Sequence, residues 1–289
     1  MSKKQALLVG INAYKGSPLR GCINDVVVIH NILTKQFGFK HEDIKVLTDH
    51  EATKKNIIDH IKWLTDGVSD NDSIVFHFSG HGSQVVVDDI TATDEVDGLD
   101  EILIPYDHSW SNPFRDHELG SYFKKVPKSC TTLVILDNCH AGAGLRNDFS
   151  PVKINTGDDW VNRFIPPPIS NTLLNPSVIV NADLSFSFPD PSIDNRATRN
   201  KFLIDTAKQG DTILLAGCEE GQTSADAWIN NRYQGAMTYA LAAVLNAHNY
   251  DITYKQLILE VNNYMNLFKY EQNPQLECKP EFFDNKFLK

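Results

Sequence analysis

The sequence predicts an α/β fold, with a central, mainly parallel sheet flanked by helices on both faces. Three observations predict it. Continuous apolar runs at 6–11, 73–78, 131–138 and 211–218 are bounded by turn residues, the pattern of strands buried on both faces. Segments with helical spacing alternate with these runs. Most of the strand runs end in a polar or glycine-bearing loop, the place where open parallel sheets put their chemistry.

In chain order, residues 6–11 form the first strand and end at Gly10-Ile11-Asn12. After a Gly/Ser/Pro loop, Val26, Ile29, Leu33 and Phe37 mark a helix from Cys22, with Asn24 and Asp25 in its first turn. Residues 44–47 are a short strand, and Thr53 is the N-cap of a helix running through Trp63-Leu64. The third strand closes in Ser79-Gly80-His81-Gly82-Ser83-Gln84. A short strand at 101–105 and a short helix at 116–124 precede the run at 131–138, which stops in Asp137-Asn138-Cys139-His140-Ala141-Gly142. From about 149 to 200 the chain is rich in Pro, Asn, Ser and Asp, with no persisting period, and reads as a loop or linker. Helices follow at 236–247 and 253–268. The expected organisation is a first part over 1–150, a linker over 151–205, and a smaller part over 206–289 sharing the same sheet.

Lys plus Arg number 27 and Asp plus Glu 37, giving a net charge of −10. Such a chain has no general attraction for phosphate backbones or anionic lipid, so neither nucleic acid nor membrane is an expected partner. The five cysteines are irregularly spaced and contain no Cys-x-x-Cys, which argues for a reducing compartment. With no targeting segment and no transmembrane-length window, the expected location is cytoplasmic.

Two strands deliver His81 and Cys139 to one edge of the sheet. Thiol attack on an acyl carbon needs a thiolate-capable sulfur, and imidazole is the base suited to that task near neutral pH. The amides of Gly82 and Cys139 are candidates for an oxyanion site. A single cysteine after a strand is more often a small core residue; the pairing of both residues at strand ends favours chemistry. Arg146 lies one position too late for a phosphatase loop, and 142–147 lacks the third glycine of a dinucleotide fingerprint.

The boxes 79–84 and 137–142 resemble the His and Cys boxes of metacaspases, the caspase-like cysteine peptidases. The likeness extends to 6–14, 19–26, 94–101, 222–227 and 235–241. It implies a caspase-like fold, with a large-subunit-like first part and a small-subunit-like second part. It implies a His81–Cys139 dyad that cleaves after Arg or Lys, with Cys22, Asp25, Ser79 and Asp137 binding the basic side chain. Paired carboxylates suit a guanidinium. The expected member is prodomain-less, prokaryotic-type and monomeric, with peptide or protein substrates. The alternative is a catalytically silent caspase-like scaffold.

Departures from the family pattern bear on calcium. Asp100 and Asp116 match ligand positions, but Arg115 and Arg146 stand where acids are usual. Calcium takes roughly six to eight oxygens, so the expectation is that no cofactor is required and calcium is doubtful. Of the basic residues in the connector, Lys153 and Arg163 are isolated, whereas Arg196, Arg199 and Lys201 cluster and are the candidates for self-cleavage.

Overall fold

Alternation along each central strand divides the core into two. In the computed structural model, which describes residues 2–86, 99–139, 160–168, 212–219 and 222–289, β1 (Lys4–Gly10) sends Ala6 and Leu8 to one face and Leu7 and Val9 to the other. The strands β3 (Ser73–Ser79), β7 (Thr131–Asp137) and β9 (Thr212–Ala216) split the same way: Val75, Leu133, Ile135, Ile213 and Leu215 on the first face, Ile74, Phe76, Val134, Leu136 and Leu214 on the second. With both faces covered, every second residue is apolar and so is its neighbour, which produces the continuous runs. Each such side chain contributes roughly 1.5–3 kcal/mol by its removal from water.

Helices α1 (Cys22–Gln36), α4 (Ala236–Ala247) and α5 (Tyr254–Leu267) cover the first face, through Ile29, Leu33, Leu241, Leu245, Leu257 and Val261. Helices α2 (Lys54–Thr65) and α3 (Asp116–Phe123) cover the second, through Ile57, Ile61, Leu64, Leu119 and Phe123. Thr53 and Thr253 cap α2 and α5, accepting from the N–H groups of Asn56 and Gln256.

The main sheet has the order β12-β9-β7-β3-β1-β2, where β2 is Ile44–Thr48 and β12 is Gln275–Glu277. All neighbours are parallel except β12, which is antiparallel to β9. The strand expected at 101–105 is β5 (Leu99–Leu103). It joins a separate antiparallel sheet with β4 (Gly82–Val86) and β6 (Phe114–Arg115), not the main sheet. A third small sheet pairs β10 (Ala225–Ile229) with β11 (Arg232–Gly235) and β8 (Trp160–Asn162). Here the expectation of a linker or loop across 151–205 needs correction, because β8 lies inside that stretch. Composition misled, because a three-residue strand leaves no period; its partner β10 is more than sixty residues away.

Candidate active site

The register brings the two boxes together. Ser79, the last residue of β3, pairs with Asp137, the last residue of β7. His81 and Cys139 each lie two residues further on, at the same edge, and both are buried. The loops close tightly: a Cβ at Gly82 would collide with the carbonyl oxygen of Cys139, so only glycine fits there.

The His81 ring is set by the loop after β1. Nε2 lies 2.8 Å from the Ser17 carbonyl. A carbonyl only accepts, so Nε2 carries the proton and Nδ1 is the basic nitrogen. Nδ1 is buried and has no hydrogen-bond partner among the described residues. Tyr14 packs its ring 4.6 Å from that of His81, accepts the His81 N–H at 3.0 Å, and donates to the Ile104 carbonyl at 2.9 Å. Burial pulls the imidazole down to about 4, against the opposing effects of the Ser17 and Arg163 main-chain groups. Cys139 Sγ accepts the Ser224 N–H at 2.6 Å and donates to the Ser224 carbonyl at 3.5 Å.

Between these groups runs the stretch 160–165 of the same chain. β8 pairs antiparallel with β10, and the Arg163 N–H donates to the Ser224 carbonyl at 3.0 Å. The Arg163 carbonyl oxygen accepts from the amides of both Gly82 (3.0 Å) and Cys139 (3.3 Å), the two groups nominated as oxyanion donors. Its side chain enters a fully buried acidic pocket. Nη2 reaches Asp25 at 2.7 Å and Asp226 at 3.0 Å; Nη1 reaches Ser79 Oγ at 2.8 Å, the Asp137 carbonyl at 2.9 Å and the Asp137 carboxylate at 3.1 Å. Cys22, at the start of α1, is buried one turn before Asp25. Asp25 does not cap α1, whose N-cap is Gly21; it accepts from the Ser79 hydroxyl (2.7 Å) and the Gly235 N–H (2.9 Å). Asp137 accepts from Ser224 Oγ (2.7 Å) and from Thr238 through its N–H (3.0 Å) and its hydroxyl (2.6 Å).

Asp25 and Asp137, although they face the same guanidinium, do not titrate alike. Burial, reinforced by the neighbouring charge of Asp137, pushes Asp25 up to about 7, while the Arg163 charge opposes. Burial also pushes Asp137 up, but the Arg163 charge and the bonds from Thr238 and Ser224 outweigh it, so this carboxyl sits below its usual value. Sequence reasoning missed Asp226, Ser224, Gly235, the Ser17 carbonyl and the placement of Arg163. The one local signal was Trp160-Val161-Asn162-Arg163-Phe164-Ile165, an apolar patch around a single base.

The metacaspase peptidase C14 domain model matches residues 4–147. Metacaspase-1 of Schizosaccharomyces pombe is 31% identical over 96% of this chain and 67% of its own length. The chain belongs to the metacaspase family. Metacaspase-1 of Debaryomyces hansenii is 34% identical over 99% of the chain and 67% of its own length. Among solved structures, a protein from Geobacter sulfurreducens matches with a TM-score of 0.66 at 22% identity, covering 99% of this chain and 98% of that one. Caspase-1 from Spodoptera frugiperda matches with a TM-score of 0.56 at 14% identity, covering 96% and 86%. These two likenesses concern the fold, which is caspase-like. The metacaspase is therefore a cysteine-type peptidase, acting on peptides or proteins. No helix among the described residues is long and apolar enough to cross a membrane.

The acidic positions considered for calcium also come together. Donor atoms of Asp100, Asp116 and His117 lie within 4.8 Å of one another. Arg115 Nη1 is bound to Asp100 at 2.5 Å, and His117 Nδ1 lies 3.2 Å from the same carboxylate. Among the described residues this cluster offers two carboxylates and an imidazole, with a guanidinium already on one of the carboxylates, whereas calcium takes roughly six to eight oxygens. Arg146, and the self-cleavage candidates Arg196, Arg199 and Lys201, lie outside the described residues.

Proposed function

We propose that this metacaspase is an endopeptidase that cuts after Arg or Lys with a His81–Cys139 dyad, and that its own Arg163–Phe164 bond is such a cleavage site. One observation carries this: Arg163 has its guanidinium among Asp25, Asp137 and Asp226 while its carbonyl oxygen accepts from the Gly82 and Cys139 amides. That is how a substrate residue before a cleaved bond has to sit. Cys139 Sγ attacks the carbonyl carbon as His81 Nδ1 takes the thiol proton. The developing oxyanion stays between the two amides, where preorganised donors stabilise charge most effectively. His81 returns the proton to the leaving amine, and water releases the acyl group from sulfur. The Ser17 carbonyl keeps Nδ1 as the basic nitrogen throughout. Cys22 and Ser79 wall the basic pocket. Residues 1–150 and 206–289 act as large- and small-subunit-like parts of one catalytic unit.

We take the enzyme to be a cytoplasmic monomer; its five free cysteines support a reducing compartment. Calcium is not needed, because the Arg115 guanidinium neutralises Asp100; a many-fold rise in turnover on adding calcium after chelation would contradict this. The test of the reaction is hydrolysis of Arg-, Lys- and Asp-ended fluorogenic peptides by wild type and Cys139→Ala. Turnover of the basic peptides by wild type alone is expected. Equal, negligible turnover by both proteins would favour a silent scaffold.

A further inference from the structure

Gly82 holds the stretch 160–165 from two sides of one residue. Its N–H donates to the Arg163 carbonyl at 3.0 Å, and its own carbonyl accepts the Ile165 N–H at 3.1 Å. Phe164 therefore forms a parallel bridge with Gly82. Ser83 adds a third bond, donating from Oγ to the Ile165 carbonyl at 2.5 Å. The Ile165 side chain packs against the core cluster on the α2 and α3 face of the sheet. The chain thus changes sheets at the bond after Arg163: residues before it extend the β10 sheet antiparallel, and residues after it pair parallel with the start of β4.

Main-chain pairing of this kind supplies affinity for any extended chain, and the side chain seated in a pocket supplies selectivity. Here pairing also bears on chemistry. The Gly82 amide that holds the Arg163 carbonyl belongs to the residue that Ile165 grips by its carbonyl. A chain seated beyond the cleaved bond fixes the orientation of an oxyanion donor.

We propose that Gly82 and Ser83 form a subsite for the second residue after the cleaved bond, which takes an extended polypeptide with an apolar side chain at that place. This rests on the reading of Arg163–Phe164 as a substrate-like bond. Gly82 is the positioning element, and Ser83 anchors the chain.

The test uses the full chain and three peptides that share Trp-Val-Asn-Arg-Phe and a proline tail. One carries Ile next, one carries Asp, and one carries Ile joined through an ester that lacks the N–H. Release of Trp-Val-Asn-Arg is followed by mass spectrometry for wild type, Ser83→Ala and Cys139→Ala. The Ile peptide is expected to exceed the other two in kcat/KM by about tenfold, through the apolar contact that Asp lacks and the hydrogen bond that the ester lacks. The ester is expected to lose mainly kcat, and Ser83→Ala, which removes the bond to a carbonyl that all three peptides carry, lowers the turnover of each several-fold. Equal turnover of all three peptides by wild type overturns the subsite and leaves the cleavage after Arg standing. Wild type no faster than Cys139→Ala on any peptide overturns both. The wild-type series decides even if Ser83→Ala fails to fold.

Discussion

Replacing Arg163 with alanine removes the one positive charge that, among the described residues, is paired with three buried carboxylates. Asp25, Asp137 and Asp226 are each at most 1% exposed. Breaking a buried ion pair by deleting one partner typically costs about 3–5 kcal/mol. Water entering the vacated pocket and a proton taken up by Asp25 relieve part of this, so about 3 kcal/mol is the working figure. For a chain of 289 residues, with an unfolding entropy of about 2.1 cal/mol/K per residue, that lowers Tm by about 5 °C. The comparison is made in a Cys139→Ala background, so that no chain is cut, with Tm read by calorimetry. A small guanidinium ligand such as N-acetyl-arginine amide then refills the pocket. At ten times its dissociation constant it returns about 1.4 kcal/mol, or roughly 2 °C, to the Arg163→Ala protein. The parent protein, whose pocket is filled from within, gains far less. An unchanged Tm for Arg163→Ala, or equal stabilisation of both proteins by the ligand, would refute the placement of Arg163.

Two further expectations follow from the same pocket. Asp25 holds its proton to about pH 7 in the folded chain, whereas unfolded it ionises near 3.8. At this carboxyl the folded state therefore binds more protons between these values, and its contribution to stability falls as pH rises through that window, by an amount on the order of a few kcal/mol, while the buried His81 contributes the opposite slope below its ordinary value. Chemical denaturation from pH 4 to 8 should show the Asp25 contribution as a difference: the stability of wild type relative to Asp25→Asn falls as pH rises; a difference that does not change with pH would contradict the raised carboxyl. At Gly235 an added Cβ would strike Asp137 Oδ2 and the Arg163 guanidinium. Gly235→Ala should thus lower kcat/KM for Arg-ended peptides at least tenfold, equivalent to about 1.4 kcal/mol; full activity in a folded Gly235→Ala protein would place the basic side chain elsewhere.

What could be read from the residues and what could not divide along a physical line. The strands β1, β3, β7 and β9 were legible because burial on both faces makes each a continuous apolar run, and Thr53 announced its helix by capping chemistry that acts within three residues. His81, Cys139 and Asp137 stood out as candidates because their boxes resemble a known family and lie at the ends of buried strands, and Asp25 because 19–26 resembles the first helix of the same family. Arg163 was not, since its burial depends on Asp25, Asp137 and Asp226, drawn from three distant segments, and on pairing with β10. The apolar residues around it set it apart from Arg196 and Arg199, but an apolar patch says nothing of the distant carboxylates it meets. Ser17 was hidden for a different reason: its contribution is a carbonyl, which every residue carries. Asp226 stood inside a stretch noted for its family likeness, but its direction toward the pocket is a property of β10 and β11 as a folded hairpin.

The most direct test is the identity of the new terminus formed when the purified enzyme is left to act on itself. Intact mass and N-terminal sequencing of the incubated wild type should give a fragment beginning at Phe164, with Cys139→Ala remaining whole. Cleavage only after Arg196, Arg199 or Lys201, with the Arg163–Phe164 bond uncut, would contradict the assignment of Arg163 as the enzyme's own bound substrate residue.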